Sequence, residues 1–128
     1  MLILVAEDNP DNQEILARRL KRKGFDVIVA SDGQKAVEMT LSERPDMVLM
    51  DISMPVMSGL EATIALRKHE NLADLPIIAL TAHAMDRDRE KCFAAGCTNF
   101  ATKPVDFKNL LNLIAENCPQ EEQASNTA

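Results

Sequence analysis

Four short, largely apolar runs in this chain each stop at a polar side chain. Residues 2–6 (Leu-Ile-Leu-Val-Ala) stop at Glu7 and Asp8, residues 47–50 (Met-Val-Leu-Met) at Asp51, residues 77–80 (Ile-Ile-Ala-Leu) at Thr81, and residues 99–102 (Asn-Phe-Ala-Thr) at Lys103. A continuous apolar run, rather than a period-two alternation, is what a strand shows when both of its faces are covered, as in a parallel sheet. If each run is such a strand, the five polar side chains gather at the carboxyl edge of one sheet. In open α/β sheets that edge is where ligands bind.

The stretches between the runs are amphipathic at helical spacing. Residues 10–23 carry Ile15, Leu16 and Leu20 on one side, with Pro10 near the start and Gly24 past the end, as helix termini favour. A further strand is expected at 26–30 around Val27-Ile28-Val29. Ser31 or Asp32 then caps a helix whose apolar face holds Ala36, Val37, Thr40 and Leu41. Arg44-Pro45-Asp46 breaks that helix before the run at 47–50. Helices are predicted at 60–68, at 86–95 with Gly96 as C-cap, and at 106–117 with Phe107, Leu110, Leu111 and Ile114 turned inward. Strands alternating with helices, joined by right-handed crossovers, predict an α/β fold. The expected form is a five-stranded parallel sheet of order 2-1-3-4-5, flavodoxin-like, with five helices on both faces. One domain over residues 1–118 is expected. A polar tail follows at 119–128, expected to be disordered.

Composition narrows the function classes. The formal charge of −6 over 128 residues argues against binding nucleic acid phosphates. No apolar stretch reaches the ~20 residues of a membrane span, so no membrane insertion is expected. The opening residues show no basic leader or small-residue cleavage site, and a cytoplasmic protein is the expectation. The basic cluster Arg18, Arg19, Lys21, Arg22 and Lys23 reads as a solvated helix face, the alternative being a docking patch for an acidic partner. The alternating charges of residues 86–91 read the same way. Cys92, Cys97 and Cys118 contain no C-x-x-C pair, which fits free thiols of a reducing compartment better than a zinc site.

Three carboxylates at one sheet edge repel: at about 4 Å and an effective dielectric near 20, each like-charge pair costs on the order of 4 kcal/mol. A cation relieves that cost. A few carboxylates, with room for water and phosphate oxygens, suit Mg²⁺ better than Ca²⁺. Phosphoryl transfer accounts for the other groups. Asp51 can attack phosphorus as a carboxylate nucleophile, Lys103 supplies a positive charge, and Thr81 supplies a hydroxyl donor. Lys103-Pro104 is a bond at which a cis peptide costs only ~0.5–1 kcal/mol.

Residues 4–9 (LVAEDN), 49–59 (LMDISMPVMSG), 78–82 (IALTA) and 100–104 (FATKP) resemble the receiver domain of response regulators over about residues 1–117. That domain is the phosphoacceptor module of two-component signalling. The resemblance implies that Asp51 is the phosphorylated residue and that Glu7 and Asp8 are metal-site acids. It further implies that the Ser53 backbone carbonyl is a metal ligand and that Thr81 and Lys103 contact the phosphoryl group. Phe100 falls at the position of a switch aromatic, commonly Tyr, although it also reads as a core phenylalanine. Ser53 and His83 fall at positions that tune hydrolysis.

The implied partners are a histidine kinase or histidine phosphotransfer protein as donor and a downstream protein target. A stand-alone regulator is the favoured context. The alternative is a receiver domain of a hybrid histidine kinase, which the stretch from Thr81 to Met85 also resembles. An aspartyl-phosphate phosphatase is disfavoured. Those enzymes place a second Asp two residues past the nucleophile, and this chain has Ser53 there.

Overall fold

The computed structural model describes residues 1–54, 56–82 and 86–117. The strands β1 (Leu2–Ala6), β2 (Asp26–Ala30), β3 (Met47–Asp51), β4 (Ile77–Thr81) and β5 (Asn99–Thr102) form one parallel sheet in the order β2-β1-β3-β4-β5. The helices α1 (Pro10–Arg22), α2 (Gly33–Glu43), α3 (Gly59–Arg67), α4 (Asp86–Ala95) and α5 (Phe107–Glu116) alternate with them. Fold class and strand order are as the sequence predicts. His83, Cys118 and the tail at 119–128 lie outside the described residues.

Alternate strand residues divide between two cores. Leu4, Ala6, Val48, Met50, Ile77 and Ala79 face one way, onto Ala36 of α2, Ala62 and Leu66 of α3, and Cys92 of α4. Ile3, Val5, Met47, Leu49, Ile78 and Leu80 face the other way, onto Leu16 and Leu20 of α1 and Leu110 and Ile114 of α5. The three central strands therefore present apolar side chains on both faces, which is why their sequences run continuously apolar.

The helix starts follow local chemistry. Asn9 caps α1, its side chain accepting from the N–H groups of Asp11 and Asn12. Asp32, rather than Ser31, caps α2. Ser58 and Glu61 form a reciprocal capping box at α3, and Asp106 caps α5. Each such cap contributes ~1 kcal/mol. At the end of α4, Gly96 adopts φ 111°. Its N–H bonds the Phe93 carbonyl and the Cys97 N–H bonds the Cys92 carbonyl, both at 3.0 Å. This is a Schellman stop. The thiols of Cys92 and Cys97 are free and buried, and burial pushes that of Cys97 up to about 11.

Three side chains expected inside lie elsewhere. Ile15 is 55% exposed, because the sheet covers the narrow stripe of α1 through Leu16 and Leu20, about 100° and about 140° of helix rotation away from it. Leu41 is exposed near the end of α2. On α5, Leu113 rather than Leu111 joins Leu110 and Ile114 against the sheet. The connection to β4 also holds a 3₁₀ turn, Glu70–Leu72, that buries Leu72.

Arg67, the last residue of α3, ties the amino edge of β4 and β5 together. Its guanidinium donates to the carbonyls of Gly96 at 2.8 Å and Leu72 at 2.6 Å. It also reaches Thr98 Oγ1 at 3.4 Å, the hydroxyl that accepts the Ile77 N–H at 3.1 Å. Burial lowers its pKa against the raising effects of Cys97 and Asp74.

Candidate functional site

The parallel register sets Glu7 and Asp51 side by side. Ala6 pairs with Met50, so the next residue on each of the two neighbouring strands is an acid. Glu7 is 1% and Asp51 2% exposed, and each is held from several sides. Glu7 Oε2 accepts the Asn9 N–H at 3.1 Å, and Oε1 accepts from Lys103 Nζ at 3.3 Å. The Glu7 carbonyl accepts from Gln13 Nε2 at 2.5 Å. Asp51 Oδ1 accepts the Ser53 N–H at 3.1 Å, and Oδ2 accepts from Lys103 Nζ at 2.8 Å. Asp8 is exposed and bonds none of the described residues. One carboxylate oxygen from each of Glu7, Asp8 and Asp51 lies within 4.8 Å of the other two.

Lys103 arrives from the far side of the sheet. Its N–H donates to the Thr81 carbonyl at 2.7 Å, and its peptide bond to Pro104 is cis. Burial opposes its charge. The hydrogen bond and charge of Asp51, with Glu7 behind them, outweigh that and hold the ammonium above its ordinary pKa. The lysine therefore offsets part of the repulsion that three clustered acids create.

Thr81 ends β4, buried, one position beyond the residue that pairs with Asp51. Its neighbour on β5 is Thr102, the residue before Lys103. Phe100 lies on the opposite face of β5 from Ala101, half-buried against the core under α3 and α4. Its ring meets Phe93 edge-on at 6.2 Å and carries the Arg89 guanidinium 4.9 Å from its centroid. Phe100 is thus a core side chain with one face toward the surface. Ser53 is exposed in the loop after Asp51.

Two close approaches fasten that loop. A Cβ at Gly59 would stand 2.2 Å from the Asp51 carbonyl oxygen, and a Cβ at Gly33 would stand 2.0 Å from that of Met57. Beside the acids a cleft of about 460 Å³ opens between α1 and the start of α5, lined by Glu7, Ile15, Arg19, Lys103, Val105 and Phe107. Arg19, from the basic cluster, sits 4.8 Å over the Phe107 ring, and Arg18 pairs with Glu14.

The structure brings Glu7, Asp8, Asp51 and Lys103 together and places Thr81 at the adjacent end of β4. Sequence reasoning missed Asn9 and Gln13. Asn9 before Pro10 carried a cap signal that could have been used. Gln13 carried no local signal.

This architecture and acid edge match a known family. The response regulator receiver domain profile covers residues 3–115, and the chain belongs to that family, whose members are phosphoacceptor switches of two-component signalling. The chain is 43% identical over 119 residues to hybrid signal transduction histidine kinase I of Dictyostelium discoideum, a match that covers 88% of this chain and only 7% of that protein. It is 33% identical over 112 residues to the polar-differentiation response regulator DivK of Brucella anthropi, covering 88% of this chain and 91% of DivK. Among solved structures, it resembles the receiver domain of the sensor histidine kinase PA1611 from Pseudomonas aeruginosa, at 39% identity and a TM-score of 0.83. That match covers 90% of this chain and 94% of the other, in a structure with magnesium coordinated in its active-site cleft. No helix among the described residues is long and apolar enough to cross a membrane.

Proposed function

We propose that Asp51 accepts a phosphoryl group from the phosphohistidine of a histidine kinase or histidine phosphotransfer protein, and that the resulting acyl phosphate changes how this domain binds a downstream protein. The observation that carries this reading is the environment of Asp51. It is a buried carboxylate at the end of the central strand, bonded to Lys103 at 2.8 Å and within 4.8 Å of two further acids. In the transfer, an Asp51 oxygen forms a bond to phosphorus while the nitrogen–phosphorus bond breaks. The bonding pair returns to the imidazole, which takes up a proton.

The donor set fits Mg²⁺. Glu7, Asp8 and Asp51 offer hard oxygens, and one ammonium against three carboxylates leaves negative charge for a divalent ion to neutralise. Those three side chains, with the Ser53 backbone carbonyl, would hold it. When bound, Mg²⁺ supplies charge neutralisation for the phosphoryl oxygens. The remaining work falls to this chain's own residues. Lys103 exchanges its bond to Asp51 for one to a phosphoryl oxygen, and the Thr81 hydroxyl donates to another. Phe100 then acts as the switch, because its ring borders both the core and the surface.

The product stays on the chain, so the protein turns over only its own phosphoryl group. The receiver unit is assigned to residues 1–118, with 119–128 as a polar tail. Buried free thiols at Cys92 and Cys97 suit a reducing compartment and support a cytoplasmic setting. The likeness to a hybrid kinase supports a second context, in which this unit is one domain of a longer kinase.

Incubation of wild type and Asp51→Asn with acetyl phosphate and Mg²⁺, followed by intact-mass measurement, tests the reading. Wild type should gain one phosphoryl group and the variant none. A wild type that gains nothing, or a variant that gains as much, overturns it.

A further inference from the structure

Glu7 and Asp8 are joined by a single peptide plane, and its orientation sets the directions in which the two side chains leave the backbone. The carbonyl of that plane belongs to Glu7 and accepts from Gln13 Nε2 at 2.5 Å. Among the described residues no other side chain bonds this peptide. The two acids are otherwise restrained very differently. The Glu7 carboxylate is buried between the Asn9 N–H and Lys103. Asp8 is exposed, and its place within 4.8 Å of Glu7 and Asp51 is set by its backbone alone.

We propose that Gln13 is a positioning residue for the acid pair: by fixing the Glu7–Asp8 peptide, it keeps the Asp8 carboxylate beside Glu7 and Asp51 and so raises the affinity of the site for a divalent cation. The inference rests on the cation site proposed above and assigns a determinant of its strength. The chemistry of the residue suits the task. Gln13 lies one turn into α1, where its N–H bonds the Asn9 carbonyl at 3.0 Å. Helical side chains lean toward the amino terminus, so its amide reaches back over the turn that carries both acids. An amide donates without adding charge. A lysine or arginine there would compete with the cation, and a glutamate could not donate. Partners that orient ligands from behind commonly govern metal affinity.

The test uses the full chain with Gln13→Met, of similar length without a donor, and Gln13→Ala, which keeps helix propensity. Manganese binding is followed by loss of the free-ion paramagnetic resonance signal, since the chain has no tryptophan. Both variants should bind Mn²⁺ roughly tenfold more weakly than wild type, and a loss of about threefold or more counts for the proposal. In acetyl phosphate labelling, the Mg²⁺ concentration for half-maximal rate should rise in step while the rate at saturating Mg²⁺ holds. A purely structural role would lower the urea midpoint in EDTA without producing that split. A folded variant that binds Mn²⁺ as tightly as wild type overturns the proposal and leaves the cation site standing. A wild type that binds no Mn²⁺ overturns both.

Discussion

Two cations are drawn into this molecule at opposite edges of the same sheet, and they are satisfied in different ways. Among the described residues, the ammonium of Lys103, at the carboxyl edge, is bonded to carboxylates, Asp51 at 2.8 Å and Glu7 at 3.3 Å. Arg67, at the amino edge, is bonded to backbone carbonyls and a threonine hydroxyl, with no ion pair among the described residues. A carboxylate partner can be exchanged for a phosphoryl oxygen with only a side-chain movement. A backbone carbonyl cannot be exchanged without moving its loop. The first arrangement is suited to a signal, the second to an anchor. The ammonium is a flexible point charge, and the guanidinium is a rigid fork that spans several fixed acceptors.

Exchanging each cation for methionine should separate the roles. The largest effect is expected for Lys103→Met, where labelling of Asp51 by acetyl phosphate should slow by about 100-fold, as for other preorganised charges that face a developing anion. An intact-mass time course reads this out, and a rate within a few-fold of wild type would erase the distinction.

Arg67→Met should leave the labelling rate near that of wild type and lower the unfolding free energy by about 3 kcal/mol. The loss arises because partly buried carbonyls are left without their charged donor. Urea titration measures it, and an unchanged midpoint would show that the anchor carries no load.

The smallest effect is in alkali. The Lys103 pKa is raised in the fold, so its contribution to stability is complete below the unfolded value of about 10.4 and fades as pH rises through the higher folded value. The stability difference between wild type and Lys103→Met should therefore be level from about pH 6 to pH 10 and shrink above that. A decline that begins near neutrality would contradict the ion-pair account. Arg67 should show no such loss, because burial moves its pKa down in the fold rather than up.

The two edges also differ in how far the sequence disclosed them. The acid edge was legible because a strand that is apolar to its last residue makes the next polar residue conspicuous, and parallel strands end together. Glu7, Asp8, Asp51 and Thr81 stand out on that basis, whereas Lys103 follows a run with Asn99 and Thr102 at its ends and is marked by its place after the fifth strand; the sheet order follows from the alternation of elements. Arg67 does not stand out, since its partners lie 5 to 31 residues away and are mostly backbone atoms. Any residue type supplies such acceptors, so no local pattern marks them. Gln13 is hidden for the same reason, as its partner is a carbonyl. Ile15 shows a different limit: periodicity locates an apolar stripe to within one residue, and the sheet beneath α1 decides which side of the stripe is covered.

The loop between Asp51 and α3 is approached by two residues that have no side chain. Gly33 abuts the carbonyl of Met57, and Gly59 abuts that of Asp51. At both places the smallest possible enlargement, a methyl group, would need room now occupied by main chain. The bed of Asp51 is thus cast to a tolerance finer than one carbon atom. The loop after Asp51 therefore has little room toward α2 and α3, and on the reading proposed above a change at Asp51 would be passed across the sheet toward β4 and β5 instead.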